Sequence, residues 1–106
     1  MENDQEKYWS KLEYYFQEAF HLEPEIHNML FMIGVQELGY GFQQLDKDTK
    51  TKVINFASMF ILKYIDENDR KLIEETVERK ALGERETEEE VYKLAIINYF
   101  REKEII

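Results

Sequence analysis

The stretch Met29-Leu-Phe-Met-Ile-Gly-Val35 decides the fold class. Its seven residues carry no charge and no side-chain hydrogen-bonding group, in a chain where 35% of residues are charged. A helix that is apolar on every side has to be enclosed by other elements, because an exposed face would set methyls and rings in water. Pro24 and Gly39 bound the stretch. Proline suits a first helical turn, where its missing N–H costs nothing. Glycine suits the left-handed position just past a helix end. The spacing therefore predicts a helix over 24–38, with Gly34 inside it. An interior glycine costs about 1 kcal/mol against alanine, so a neighbouring backbone or ring is expected to approach closely there.

Upstream, Asn3 with Glu6 fits a capping box for a helix that runs to about Phe20. Tyr8, Trp9, Leu12, Tyr15, Phe16, Ala19 and Phe20 share one broad face of that helix, and Ser10, Lys11, Tyr14, Gln17, Glu18 and His21 fall outside it. Five aromatics on one face could be a stacking wall for a ligand, but core packing explains them more simply. Downstream, Tyr40-Gly41-Phe42 reads as a helix stop with its rings folded back on the core. Its Gly-x-Gly is no phosphate loop, since it follows a helix and lacks both the last glycine and the lysine.

Asp46 or Asp48 caps a third helix that runs to about Ile65. Val53, Ala57, Phe60, Ile61 and Tyr64 line one face, while Met59 and Leu62 on the far side predict cover there too. Asp69 opens a fourth, shorter helix that ends before Gly83. Thr87 with Glu90 makes a capping box for the last helix, with Glu88 and Glu89 in its favoured first turn. From Val91 to Phe100 that helix is apolar in nearly every direction. Ile105 and Ile106 either tuck into the core or meet a second subunit. The expectation is an all-α single domain over 1–106, an irregular or orthogonal bundle of about five helices around a buried helix 24–38.

Composition excludes several function classes. The chain has 106 residues and no cysteine, which removes disulfides, thiolate metal sites and cysteine nucleophiles. Its formal charge of −9 opposes binding to phosphate backbones. Lys47, Lys50 and Lys52, and Arg79, Lys80 and Arg85, are the basic groupings, each diluted by acids. No nucleic-acid partner is expected. The seven-residue apolar run is far short of the ~20 residues that span a bilayer, and no secretory signal pattern opens the sequence. A soluble cytoplasmic protein with no membrane partner is the resulting expectation.

Candidate chemical motifs are few. Asp46-x-Asp48 begins like a calcium loop, but Thr51 and Ala57 stand where a glycine and a bidentate glutamate are needed. The turn at Asp66–Asp69 fails in the same way, with Lys71 and Val77 at those positions. Glu18-Ala-Phe-His21 has the Glu-x-x-His spacing that di-iron bundles use in pairs, yet no second copy exists. Ser10 and Ser58, the two serines, lie in no nucleophile turn. No catalytic residue, cofactor or metal ligand is assigned.

Met29-Leu-Phe-Met-Ile-Gly-Val-Gln-Glu-Leu-Gly39, continuing to Gly41, resembles a small all-helical family of unassigned function, which carries a similar apolar run followed by Gln-Glu-Leu-Gly. Leu94-Ala-Ile-Ile-Asn-Tyr-Phe100 is similar to that family's last helix, whereas Asp66 to Arg85 departs from its pattern. The resemblance implies a shared helical core and carries no activity. Gln36 and Glu37, the polar pair of the motif, are expected to hydrogen-bond across helices or to the chain at Gly39.

The functional expectation is a small acidic protein that is not an enzyme. It would be a protein–protein interaction or regulatory module, binding a protein partner or self-associating as a homodimer. It rests on surplus apolar directions on three helices, with Tyr14, Met59, Phe31, Phe100 and Ile106 as candidates for exposure. The alternative is a small-ligand or metal-dependent protein with a site near Glu18, His21, Glu25 and His27.

Overall fold

The computed structural model describes residues 4–40 and 45–106. Five helices follow in order: α1 (Asp4–Phe20), α2 (Ile26–Leu38), α3 (Lys47–Phe60), α4 (Glu67–Lys80) and α5 (Glu84–Glu102). A 3-10 turn, Ile61–Tyr64, continues α3. Among the described residues there is no strand, and the fold is an all-α bundle. The expected caps at Asn3 and the glycine and ring at Gly41 and Phe42 lie outside the described residues.

None of the seven residues from Met29 to Val35 is exposed, as an all-apolar helix requires. Met29, Leu30 and Ile33 enter the core, where α2 packs chiefly on α3. Gly34 is what lets the two helices meet. A Cβ at that position would stand 2.5 Å from Val53 Cγ1 and 2.7 Å from the Val53 carbonyl oxygen. The second half of α5 is enclosed still more fully, with Leu94, Ala95, Ile96, Ile97, Tyr99 and Phe100 all buried. Its rings meet neighbours edge-on: Phe100 lies 5.7 Å from Phe16 of α1, and Tyr99 lies 5.3 Å from Tyr64. Such T-shaped pairs set a positive ring edge on a negative face. They join α1, α5 and the 3-10 turn into one core.

Several element boundaries differ from the sequence expectation. α2 begins at Ile26 with Glu25 as its extended N-cap, so Pro24 stays outside the helix. The link before it is held instead by Asn28, whose side-chain amide donates to the Glu23 carbonyl at 3.0 Å. α3 does not run unbroken to Ile65: its last turn tightens to 3-10 geometry, a common ending where the next element follows at once. Asp46, not Asp48, caps α3, accepting from Thr49 N at 2.7 Å. That bond holds the Asp46 carboxyl below the usual carboxylate range.

α4 is opened by Asp66, and Asp69 closes a reciprocal capping box with it. α5 starts a turn earlier than expected, with Gly83 as N-cap and Glu86 accepting from its N–H at 3.2 Å. Thr87 is inside the helix, and its hydroxyl donates to the Gly83 carbonyl at 2.7 Å. The acidic run from Glu84 is thus the first two turns of α5, where acids favour the positive helix end.

The far side of α3 is not covered: Met59 is 78% exposed and Leu62 41%. α3 packs on α2 and leaves its outer face free, so the surplus apolar directions there look into solvent. Phe100 proves buried and Phe31 half-buried, while Ala19, placed by spacing on the apolar face of α1, is exposed.

Candidate functional site

α1 shows two faces. Leu12 and Phe16 are fully buried, while Tyr14 is 67% exposed. Beside Tyr14 runs a groove of about 730 Å³, walled by Ser10, Lys11, Tyr14, Tyr15, Glu18 and Ala19 of α1 and by Ile105 and Ile106 of the chain end. The chain end is placed there by the termination of α5. Glu104 takes a left-handed φ of 59°, and Ile105 N then donates to the Phe100 carbonyl at 3.0 Å. This is the Schellman ending, which reverses the chain without needing another element. Ile105 and Ile106 fold back against the core and leave one side on the groove.

The groove is lined mostly by rings and methyls, with Ser10, Lys11 and Glu18 as polar members of its α1 wall. Lys11 and Glu18 carry its charges. Lys11 Nζ lies 5.7 Å from the centroid of the Tyr8 ring. Among the described residues, neither Lys11 nor Glu18 has an ion-pair partner in its own chain. Such a surface can bury rings and methyls against another molecule, and its unpaired charges can fix a register. Among the described residues that line it, no nucleophile is hydrogen-bonded to a base.

Past Tyr15 lies a smaller apolar cavity of about 260 Å³, lined by Phe16, Phe20, Met32, Val35, Tyr40, Phe100 and, as its polar member, Gln36. Gln36 is therefore at a rim, whereas Glu37 makes the expected bond across helices, accepting from the Tyr99 hydroxyl at 2.6 Å. Burial, then the bond to Glu37, raises the Tyr99 phenol well above its ordinary range. Burial, then the charges of Glu102 and Glu37, also raises Tyr64.

The four residues of the alternative site do not converge on one point. Glu18 lines the groove on α1. His21 sits just past the end of α1 with φ 53°, exposed to solvent. Glu25 and His27 flank the start of α2 and line a separate cleft with Arg85 and Tyr92. His27 Nδ1 is 3.8 Å from Glu25 Oε2, with both side chains more than 60% exposed (64% and 61%). Among the described residues, no three His, Asp or Glu side chains form a group able to hold a metal ion. No described helix is long and apolar enough to cross a membrane.

The sequence marked Tyr14 and the closing isoleucines but missed that they share one groove. The usable signal was the seven-residue spacing of Lys11 and Glu18, which sets opposite charges on one helical line two turns apart. No family model matches the chain, and no curated protein or solved structure is similar to it.

Proposed function

We propose that this chain is a non-enzymatic protein-interaction module that receives a protein partner in the groove between α1 and the chain end. The observation that supports it is Tyr14, a large ring 67% exposed at the mouth of a groove whose other wall is Ile105 and Ile106. Tyrosine gives a contact much buried area for little lost side-chain freedom, which is why it recurs at binding surfaces. Ser10, Lys11 and Glu18 set polar groups among the rings and methyls of the groove, so that a contact there can combine buried area with a fixed register. The net charge of −9 keeps the free molecule soluble, and no phosphate-backbone partner is part of the proposal. We place the module in the cytoplasm, since its fold relies on no disulfide and so needs no oxidising compartment.

The test is site-specific photo-crosslinking in the cells that make the protein. A photoreactive phenylalanine analogue at Tyr14 should give covalent adducts to protein, while the same analogue at Lys71, exposed on α4, should give none. Absence of any protein adduct at Tyr14 overturns the proposal.

A further inference from the structure

We infer that the occupant of the α1 groove is a second copy of this chain, docked antiparallel through α1 about a two-fold axis midway between Tyr14 and Tyr15. This names the partner of the surface proposed above and rests on that reading. A two-fold contact is self-complementary: if residue i meets residue j of the second copy, then j meets i. On antiparallel helices centred between 14 and 15, residues whose numbers add to 29 lie at the same height. Lys11 and Glu18 satisfy that sum, and so does the pair Ser10 and Ala19. All six α1 residues that wall the groove belong to this set.

Lys11 and Glu18 are seven residues apart, close to two helical turns, so both project along the middle of the face. The two-fold therefore lays Lys11 against Glu18 of the second copy and Glu18 against its Lys11. Two ion pairs form, about 10.5 Å apart along the helix at 1.5 Å per residue. These are the two charges of the groove without an ion-pair partner in their own chain among the described residues. The same axis sets Tyr14 beside Tyr14 of the second copy on one side of the contact, where each loses its exposure. On the other side it sets the Tyr15–Ala19 flank, next to Ile105 and Ile106, against its own copy. A parallel arrangement would instead bring Lys11 to lysine and Glu18 to glutamate, at a cost of several kcal/mol in like-charge contact.

The contact is one helix wide, small by the standard of permanent dimers, and −9 on each copy opposes it at long range. Association is accordingly concentration-dependent, with Kd on the order of micromolar.

Sedimentation equilibrium of the intact chain tests this. Wild type should move from 12.9 kDa towards twice that mass as concentration rises. Lys11→Glu or Glu18→Lys alone places two like-charge pairs across the axis and should weaken association by more than about tenfold. Both positions are exposed, so the fold should be retained, which circular dichroism checks. The Lys11→Glu/Glu18→Lys double variant restores opposite charges and should self-associate again. An equimolar mixture of the two single variants should form a heterodimer, because the two glutamates of one chain, at positions 11 and 18, then face the two lysines of the other. Wild type that stays monomeric to about 1 mM overturns the inference, as does a dimer indifferent to Lys11→Glu or a mixture that does not associate. If wild type is monomeric while the crosslinker at Tyr14 captures a different protein, self-pairing fails and the interaction reading stands. If neither occurs, both fail.

Discussion

The Tyr99 hydroxyl donates a 2.6 Å hydrogen bond to Glu37 Oε1, tying the most enclosed helix to the last turn of α2. Lys103 Nζ lies 3.7 Å from the same oxygen. The carboxylate is thus held between a buried donor and a half-exposed cation. Hydrogen bonds to charged groups contribute about 1.5–3 kcal/mol. Tyr99→Phe should lower stability by about 2 kcal/mol, read as a drop in the midpoint of urea unfolding with the slope unchanged. Because the folded protein holds this phenol protonated above its ordinary range, that part of the stability is complete below about pH 10. It declines as pH rises further and the unfolded phenol ionises. Tyr99→Phe should therefore also flatten the alkaline loss of stability, leaving the smaller share that Tyr64 contributes.

Gly34→Ala is expected to destabilise by about 2 kcal/mol, despite alanine's better helix propensity. The added methyl meets both a side chain and a peptide oxygen of Val53. Adding Val53→Ala removes only the side-chain obstacle, so thermal melts of the double variant should show no recovery of the Gly34→Ala loss.

Asn98 donates to the Tyr64 carbonyl at 2.9 Å and to Asp69 Oδ2 at 3.2 Å. One amide thus holds both the end of the 3-10 turn and the capping box of α4. Asn98→Ala should cost about 2 kcal/mol and speed hydrogen exchange in the first turn of α4. Asn98→Asp should cost more, since it sets a second carboxylate against Asp69.

Ala81 ends α4 with φ 51°, and Leu82 N donates back to the Val77 carbonyl at 3.1 Å. An L-residue pays about 1–2 kcal/mol for that left-handed geometry, and glycine loses more entropy on folding. Ala81→Gly should stabilise by about 0.5 kcal/mol, whereas Glu75→Gly in the exposed middle of α4 should destabilise by about 1 kcal/mol. Differential scanning calorimetry of the two variants checks the opposite signs.

Features that depend on local backbone chemistry were legible in the sequence. Gly39 takes φ 75° as a helix stop, and Gly34 marks the helix–helix contact. Where two acceptor side chains sit three or four residues apart, the sequence cannot tell a cap from the first turn it caps. That is why Asp69 stood in for Asp66. Gly83 was passed over in favour of Thr87 for another reason: it has no acceptor side chain, and its cap is made by its own N–H donating to Glu86. Cover over Met59 was wrongly expected because apolar spacing says which directions want burial, not whether a neighbour exists to provide it. Asn98 was silent because both its partners lie about 30 positions away (29 and 34). The groove was unreadable because it needs Glu104 to turn the chain end back towards α1.

The obstacle facing position 34 includes a peptide oxygen, which every residue type carries. Exchange at 53 therefore cannot make room for a side chain at 34. A divergent sequence that keeps this fold is free to vary both partners of nearly any other contact in the core. Here it can vary only one. A glycine flanked by apolar residues, five positions ahead of a second glycine, is thus the signature by which remote kin of this bundle should be sought.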